Sequence, residues 1–351
     1  VFDNKYIVKL EKTKSAKIKA VVSTPDSIVK LMVQRTLGEK IEGLSPDQIM
    51  DLKIGDLAVG SGIFLIEAYN YLENYLVDWY STKEGVVATP YSVPFKVKKT
   101  IVQKVFRGFD INNQAVQLTK FSLLLRLLSY EDKERIIEIS PLLPSLEDTI
   151  ICGNSLVDER DVDITTMSYE ESEDIVPMVN QVFDTIKFDV IIGNPPYLQT
   201  KEIIESTSNI EINVYKTKYS SVYKQYDKYF MFIERALELI KKDGITILLV
   251  PNKFFTVGAA MKLREFITQK YGLTFIIDFK TTQVFHGVIN YVAIVQFGNY
   301  SDKTFQYSVA VSVDSAFEIE NGLIYDMTKL ETSHWFLTQD IKPRNQYESA
   351  M

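Results

Sequence analysis

Short apolar runs alternate with amphipathic segments along most of this chain. The runs that have the length of buried strands span residues 52–58, 105–110, 149–152, 188–192, 245–250, 275–279 and 291–297. Apolar residues three and four positions apart predict helices between these runs, at residues 63–75, 114–128, 228–241 and 260–271. Strands that alternate with helices predict an α/β fold, in which crossover helices cover a sheet.

Several stretches interrupt this alternation. Acidic residues are frequent in segments 157–174 and 202–213, which are predicted to be loops. The sequence Lys-Lys-Asp-Gly at 241–244 is typical of a helix end, because cations favour the last turn and glycine stops the helix. After about residue 300 the alternation is lost, which predicts that a separate structural unit begins there.

Composition places the chain among globular proteins. Of its 351 residues, 46% are hydrophobic and 24% are charged, and no run approaches the roughly 18 apolar residues of a membrane span. The single cysteine, Cys152, excludes an internal disulfide and fits a reducing cytoplasm, where we expect the protein to act. The first residue is Val1 and the opening segment lacks a secretory signal, so we expect a piece of a longer polypeptide.

The charge balance of the chain disfavours tight binding to nucleic acids. The net charge is -7, from 39 basic and 46 acidic residues. Phosphate contacts supply most of the nonspecific affinity of proteins for nucleic acids. The chain alone is therefore expected to bind nucleic acid weakly.

A glycine-rich turn follows the first predicted strand, in Asp56-Leu-Ala-Val-Gly60-Ser-Gly62. Glycines there allow a tight turn and the close approach of a ligand, although the run matches neither the dinucleotide fingerprint nor the phosphate loop. Asp110 ends the next strand, where an acid is placed to bind ribose hydroxyls. Alone, Asp110 is explained equally well as a helix cap. Together, the turn and the acid indicate a nucleoside site at the carboxyl edge of one sheet.

The sharpest motif is Asn194-Pro195-Pro-Tyr197, which ends an apolar strand abruptly. Prolines donate no ladder hydrogen bond and restrict the residue before them, so the Asn194 side chain and the Pro195 carbonyl are expected to form a fixed pair of acceptors. An amine conjugated to an aromatic ring is a poor nucleophile. Two acceptors on its N–H groups favour a pyramidal nitrogen that can take a methyl group directly. Tyr197 is expected to stack on the acceptor ring.

With these motifs in this order, the chain resembles the gamma-class N6-adenine DNA methyltransferases. It is most similar to the methyltransferase part of type IIG restriction-modification enzymes, over about residues 20–300. The resemblance implies a Rossmann-like seven-stranded methyltransferase sheet with helices on both faces, in the strand order 3-2-1-4-5-7-6. It also implies S-adenosyl-L-methionine as the cofactor, double-stranded DNA as a partner and no metal.

Further site residues follow from this resemblance alone. Thr24, in Ser-Thr-Pro, matches the segment that contacts the methionine carboxylate, and Asp56 and Ala58 match cofactor positions. The family usually has proline and often cysteine at the positions of Leu57 and Val59, which implies a somewhat weaker cofactor affinity.

Three more residues match family positions at the two ring-binding subsites. Asn154, in Cys-Gly-Asn-Ser-Leu, matches the reader of the cofactor adenine. Phe232 matches an aromatic that packs on that adenine, although its helical spacing also suits a core residue. Phe285 matches a second aromatic platform, which would hold the target base against Tyr197. Such a base must first be flipped out of the duplex.

Other activities fit these motifs less well or equally well. Cytosine C5 methylation needs a cysteine nucleophile at the reacting ring, and Cys152 lies instead beside the cofactor motif. Cytosine N4 methylation obeys the same physics as adenine methylation. Glutamine N5 methyltransferases that act on proteins also carry an Asn-Pro-Pro-Tyr run, and a catalytically inactive cofactor-binding scaffold is a fourth possibility.

The resulting domain prediction has three parts. Residues 1–50 form a helical lead-in that carries the Thr-Pro segment, and residues 51–300 form the catalytic domain. Residues 301–351 begin a linker or target-recognition region. The remainder of a larger polypeptide, with target-recognition and nuclease parts, is expected as a partner.

Overall fold

A single mixed sheet organises the molecule. The computed structural model describes residues 23–85, 87–131, 143–162, 183, 185–285, 291–298, 303–319 and 322–338. Its strands are β1 Ile54–Asp56, β2 Phe106–Asp110, β3 Ile150–Cys152, β4 Phe188–Gly193, β5 Ile240–Pro251, β6 Gly272–Asp278, β7 Val292–Gly298, β8 Thr304–Val309 and β9 Leu323–Asp326. They lie in the order β3-β2-β1-β4-β5-β7-β6-β8-β9.

Most neighbouring strands in the first part of the sheet are parallel. β1 pairs in parallel with β2 and β4, β2 with β3, and β4 with β5. β7 runs antiparallel to both of its neighbours, β5 and β6. The carboxyl ends of β1 to β5 therefore meet at one edge of the sheet.

Ten α-helices accompany the strands in the described residues. They are α1 Asp26–Ile41, α2 Pro46–Asp51, α3 Ile63–Glu84, α4 Phe95–Thr100, α5 Asn113–Leu128, α6 Thr200–Ser206, α7 Asn209–Lys218, α8 Lys228–Leu239, α9 Met261–Lys270 and α10 Val313–Phe317. None of the helices in the described ranges is long and apolar enough to cross a membrane.

The sheet separates two hydrophobic cores. Along β4, Val190 and Ile192 belong to one core and Ile191 belongs to the other, because successive side chains of a strand point to opposite faces. Residues of α1, α3 and α5 fill the first core, and residues of α8 and α9 fill the second. Helices thus cover both faces of the central strands, and the α/β class is confirmed. The described sheet has nine strands, however, where the resemblance implied seven.

The prediction of a loop over residues 202–213 was wrong, because this segment contains most of α6 and the start of α7. Ser208 caps α7 by accepting a hydrogen bond from the Glu211 N–H, and Ile212 and Tyr215 are buried one turn apart. Glu211, one of the acidic residues that suggested a loop, lies in the first turn of α7, where a negative charge is favourable. Of the other predicted loop, only the part up to residue 162 lies within the described residues.

The prediction of a helix end at 241–244 was also wrong, because α8 stops at Leu239 and β5 begins at the next residue. Ile240 pairs with Phe188, and a register shift follows in the pairing with β4. Gly244 is needed for close approach, since a Cβ there would lie 2.7 Å from the Phe188 carbonyl oxygen. The glycine therefore serves an irregular strand rather than a helix terminus.

The described residues beyond 300 continue the same sheet. β8 pairs in parallel with β6, and β9 pairs antiparallel with β8. Trp335 is 1% exposed and belongs to the same core as α8 and α9. The domain boundary that the sequence predicts near residue 300 does not interrupt the sheet.

Candidate active site

A narrow cleft lies at the carboxyl edge of the parallel strands, where α/β sheets commonly bind ligands. It brings together residues from β1, β4 and α8 that are far apart in sequence. Its lining consists of Asp56, Leu57, Ala58, Ile191, Gly193, Asn194, Pro195, Phe232, Ala236 and Leu248. Five of the predicted site residues share this cleft, namely Asp56, Ala58, Asn194, Pro195 and Phe232. The others do not line it: Thr24, Gly60, Gly62, Asp110, Asn154, Tyr197 and Phe285.

Asp56, the last residue of β1, is almost fully buried in this cleft. Its Oδ1 accepts a hydrogen bond of 3.0 Å from the Ala58 N–H, whereas its Oδ2 has no hydrogen-bond partner among the described residues. Burial raises the pKa of this carboxyl to about 7, against the opposing effect of the Ala58 N–H and with a further increase from the charge of Asp110. An unpartnered buried carboxylate oxygen is suited to a cationic ligand group.

The glycine-rich turn is held by two neighbouring segments. Gly60 and Gly62 have φ angles of 54° and 83°, which are left-handed values that favour glycine. The Gly60 N–H donates to Asp110 Oδ2 at 2.9 Å, and the Thr119 hydroxyl donates to the Gly60 carbonyl oxygen at 2.9 Å. Burial raises the pKa of Asp110, although the N–H groups of Asn112 and Gly60 oppose the shift. Asp110 thus supports the turn, and it lies at the end of β2, as the sequence predicted.

Thr119 was not predicted as a site residue. It lies on α5 and is fully buried, and it packs so closely on Gly62 that a Cβ there would lie 2.7 Å from its Cγ2 atom. Its one sequence signal is a hydroxyl residue on the apolar face of an amphipathic helix.

The Asn194 carboxamide is held at both of its ends. Its Nδ2 donates to the Thr24 hydroxyl oxygen at 3.0 Å, and the Tyr197 hydroxyl lies 2.5 Å from its Oδ1. The same hydroxyl lies 2.9 Å from the Leu249 carbonyl oxygen on β5. Pro195 is buried beside them. The sequence predicted Thr24 and Asn194 for two different ligands, and the structure joins them directly.

Phe285 lies close to Tyr197, as the family resemblance implied. The two ring centroids are 6.5 Å apart, but the ring planes are inclined at 61°. Phe285 is 2% exposed, and Tyr229 also contacts the Tyr197 ring edge-on at 5.9 Å. The two rings are therefore neighbours without forming a parallel slot, and their role as a clamp stays a prediction.

Asn154 follows β3 and is buried with its amide fully engaged. Its Oδ1 accepts from the Leu156 N–H at 2.9 Å, and its Nδ2 donates to Glu211 and lies 3.4 Å from the Tyr215 hydroxyl. Burial raises the pKa of Glu211, opposed by the charge of Lys228 and by the hydrogen bond from Asn154. Sequence reasoning missed Glu211, because it assigned the segment to a loop.

Arg235 is a second residue that sequence reasoning missed. It lies one turn after Phe232 on α8 and donates to the Ser155 carbonyl oxygen at 3.1 Å and to Asp158 at 2.6 Å. It is 5% exposed, and a charged residue on the buried face of an amphipathic helix was the available signal. This arginine connects the helix that carries Phe232 to the segment that carries Asn154.

Comparison with known proteins gives a consistent family assignment. The family model described as "Eco57I restriction-modification methylase" matches residues 104–285, which is more than half of the chain. RM.Eco57I of Escherichia coli, a type II restriction enzyme and methyltransferase, is 33% identical over 330 residues, which cover 92% of this chain and 32% of that protein. The type II methyltransferase M.BstVI of Geobacillus stearothermophilus is 33% identical over 129 residues, which cover 36% of this chain and 21% of that protein.

Solved structures share the fold at low sequence identity. The type ISP restriction-modification enzyme LlaGI, in complex with a DNA substrate mimic, superposes on 93% of this chain with a TM-score of 0.66 and 15% identity. The match covers 28% of the LlaGI chain. The chain thus spans about a third or less of the length of each of these three proteins. On the family match and the identity to RM.Eco57I, the chain belongs to the Eco57I restriction-modification methylase family.

Proposed function

We propose that this chain is the catalytic part of a DNA methyltransferase that transfers a methyl group from S-adenosyl-L-methionine to N6 of a flipped-out adenine in double-stranded DNA. The enzyme would act in the cytoplasm, in a restriction-modification system, and the remainder of a larger polypeptide would supply target recognition and cleavage. The observation that carries this proposal is the Asn194 carboxamide, which is held at both ends beside a cleft that also contains Asp56.

The residues of the cleft fit S-adenosyl-L-methionine. This cofactor carries two cationic groups, and the buried Asp56 Oδ2 has no protein partner among the described residues. Gly60 and Gly62 hold a turn that allows close approach of a nucleoside. Asp110 would bind ribose hydroxyls, and Phe232 would pack on the cofactor adenine. The cofactor supplies an electrophilic methyl group on a sulfonium centre.

The acceptor side of the reaction depends on orientation rather than on a strong base. The Asn194 Oδ1 and the Pro195 carbonyl oxygen would accept hydrogen bonds from the two N–H groups of the target amine. These contacts strengthen as the nitrogen becomes pyramidal, so they stabilise the transition state more than the bound substrate. After transfer, the nitrogen loses a proton to solvent.

The aromatic residues would capture the flipped base. Tyr197 and Phe285 are neighbours whose ring planes are inclined at 61°, so one ring must turn before a base can stack on both. Stacking on an aromatic side chain is worth about 1–3 kcal/mol per base, which offsets part of the cost of unpairing.

The strand order supports the same proposal. The first seven strands lie in the order β3-β2-β1-β4-β5-β7-β6, with β7 antiparallel to its neighbours. This is the order that the resemblance implied for the Rossmann-like methyltransferase sheet. We infer that these seven strands form the catalytic sheet and that β8 and β9 extend it.

The test is an Asn194→Ala variant of the complete polypeptide. Methyl transfer to duplex DNA should be lost in single-turnover assays, while calorimetric titration shows nearly unchanged cofactor affinity, because the lost contacts are made in the transition state. Asn213→Ala, on the exposed face of α7, is the control and should behave as wild type. Transfer at the wild-type rate by Asn194→Ala would refute the catalytic role.

The same assay identifies the acceptor. Product analysis should find methyl groups at adenine N6, and a duplex without adenine should not be modified. Methylation of cytosine N4, or of a glutamine side chain in a protein substrate, would refute the adenine assignment while keeping the cofactor site.

A further inference from the structure

Asn252 joins the ends of two other strands to the end of its own. It follows β5 directly, and its Nδ2 donates to Asp278 Oδ1 at 2.9 Å and to the Lys280 carbonyl oxygen at 3.1 Å. Its backbone N–H donates at 3.0 Å to the carbonyl oxygen of Tyr291, the residue before β7. One residue therefore holds the chain both where it leaves β6 and where it enters β7.

The chain that leaves β6 carries Phe285. The centroid of this ring lies 6.5 Å from that of Tyr197, and the two rings are proposed to capture the flipped base. We propose that Asn252 is a positioning residue, which holds the segment 279–285 so that Phe285 faces Tyr197. This inference rests on the proposed function.

The partners of the Asn252 carboxamide fix its direction. A backbone carbonyl oxygen, such as that of Lys280, can only accept a hydrogen bond. Asp278 Oδ1 accepts from the Lys280 N–H at 2.8 Å as well as from Asn252. A reversed carboxamide would turn its own oxygen towards these two acceptors. Asp278 is 2% exposed, so water replaces a lost donor poorly.

The backbone of Lys280 shows what this contact holds. Its φ angle is 49°, a left-handed value that is uncommon for a residue with a side chain. Its N–H is bound by Asp278 and its carbonyl oxygen by Asn252. Such a conformation persists where its surroundings hold it. Loss of the Asn252 donor therefore releases one side of the turn from which the chain continues to Phe285.

A change at this turn is expected to reach the aromatic ring. Phe279 and Phe285 lie on the two sides of Lys280, and both are buried in the core that contains α1, α3 and α5. Closely packed side chains transmit a backbone shift to one another. A different backbone conformation at Lys280 therefore changes the place of the Phe285 ring relative to Tyr197.

The test compares Asn252→Ala and Asn252→Asp with Tyr307→Phe in the complete polypeptide. Both Asn252 variants remove the donor, and Asn252→Asp keeps the size of the side chain. Tyr307→Phe is the matched control, because the Tyr307 hydroxyl donates at 2.8 Å to the other oxygen of the same carboxylate, Asp278 Oδ2. It removes a buried hydrogen bond without releasing the Lys280 carbonyl oxygen.

The main measurement is the fluorescence of 2-aminopurine placed at the target position of a duplex. Capture of this base should weaken roughly tenfold in both Asn252 variants, as expected for a lost buried hydrogen bond, and should stay at the wild-type level in Tyr307→Phe. Single-turnover methyl transfer to a matched duplex should fall in parallel with capture. Cofactor affinity in calorimetry should be nearly unchanged, since the contacts of Asn252 lie at β6 and β7 and not in the cleft.

Two further measurements separate positioning from general disturbance. Adding Asn252→Ala to Phe285→Ala should change capture by less than about twofold, because the ring that Asn252 positions is already absent. A mismatch opposite the target adenine reduces the work of unpairing. It should therefore restore methyl transfer by Asn252→Ala, as it should for Phe285→Ala.

Wild-type capture by both Asn252 variants would overturn the positioning role. Equal losses for Asn252→Ala and Tyr307→Phe would also overturn it, as would equal losses from Asn252→Ala with and without the Phe285 ring. In each of these cases methyl transfer by the wild-type protein leaves the proposed function intact. If the wild-type protein transfers no methyl group to adenine, the proposed function itself is wrong, and the positioning role is refuted with it.

Discussion

The carboxylate of Asp56 determines several features of its surroundings. It lies so close to β4 that a Cβ at Gly193 would be 2.7 Å from its Oδ1. It is 1% exposed, and one of its oxygens has no partner among the described residues. Gly193 and the buried Asp56 carboxyl, whose pKa is raised, therefore lie together where a ligand is proposed to bind.

This burial predicts a pH dependence of stability. The pKa of Asp56 is raised from 3.8 to about 7 by burial, so the folded chain retains a proton that the unfolded chain loses between these values. Ionisation of Asp56 therefore lowers the free energy of unfolding as the pH rises from about 4 to 7. Asp56→Asn removes this cost, and its stability relative to wild type should increase by on the order of 3 kcal/mol between pH 4 and 8.

Urea titrations of both proteins over this pH range measure the effect. Parallel stability curves for Asp56→Asn and wild type would show that the carboxyl titrates in the folded protein as it does in the unfolded chain.

The glycine-rich turn offers a prediction with an internal control. Gly62 and Gly43 have similar φ angles of +83° and +75°, but a Cβ at Gly62 would lie 2.7 Å from Thr119, whereas nothing lies within 4 Å of one at Gly43. Both alanine variants bear the left-handed strain of about 1–2 kcal/mol. Gly62→Ala should lose about 1–3 kcal/mol more, because of overpacking. Equal losses in chemical denaturation would mean that Thr119 moves aside freely.

A helix or strand could be predicted from the sequence when its own residues carry an apolar pattern. Most central strands and the helices α5, α8 and α9 carry an apolar pattern of their own and were predicted close to their observed positions. The start of α3 was predicted correctly, but the helix runs to Glu84, nine residues beyond its predicted end, and β5 begins five residues earlier than predicted, at Ile240. The helices α6 and α7 are short, and caps rather than periodicity define them. The strands β8 and β9 owe their place to pairing with β6, which no local pattern reveals.

The candidate site also has features that the sequence could predict and features that it could not. Residues that end strands, such as Asp56, Asp110 and Asn194, could be predicted, because parallel strands bring their carboxyl ends together. The contacts that hold them could not, because they join distant segments. Thr24 to Asn194 is a separation of 170 residues, and Asn154 to Glu211 is one of 57 residues.

The arginine that connects α8 to the Asn154 segment allows a prediction at this scale. Arg235→Met should lower the free energy of unfolding by about 1–3 kcal/mol, since Asp158 Oδ1 loses its buried donor while Lys218 still pairs with Oδ2 at 2.7 Å. Cofactor affinity should fall as well, because Asn154 and Phe232 lose their common support. Arg160 lies 3.8 Å from the same carboxylate but is 61% exposed, which makes Arg160→Met a matched control.

Chemical denaturation measures the free energy of unfolding of the two variants, and calorimetry measures their cofactor affinity. The control should cost less than about 1 kcal/mol, because exposed ion pairs contribute little. Equal losses for Arg235→Met and Arg160→Met would show that the connection between the two segments is unimportant.

At the scale of the whole molecule, the candidate site lies at the carboxyl edge of a sheet that separates two hydrophobic cores. The core that contains α8 continues through the strands beyond residue 300 and includes Phe305, Tyr307 and Trp335. The segment that carries Trp335 is also held by Arg264, which donates to the carbonyl oxygens of Thr332 and Ser333. The described residues after 300 therefore share a hydrophobic core with the candidate site.

This shared core leads to the last prediction. The Trp335 ring packs on the Phe255 ring at 6.4 Å between centroids, and the backbone N–H of Trp335, which an alanine would keep, donates to the Phe255 carbonyl oxygen at 2.7 Å. Trp335→Ala should therefore lower the stability of the entire sheet by about 3–5 kcal/mol, in one cooperative transition. The adjacent Phe336 is 71% exposed, and Phe336→Ala should have little effect. If residues 303–338 instead formed a separate unit, Trp335→Ala would produce an early transition of that unit, after which the remaining protein would still bind the cofactor. Thermal unfolding followed by circular dichroism, with and without cofactor, distinguishes the two outcomes.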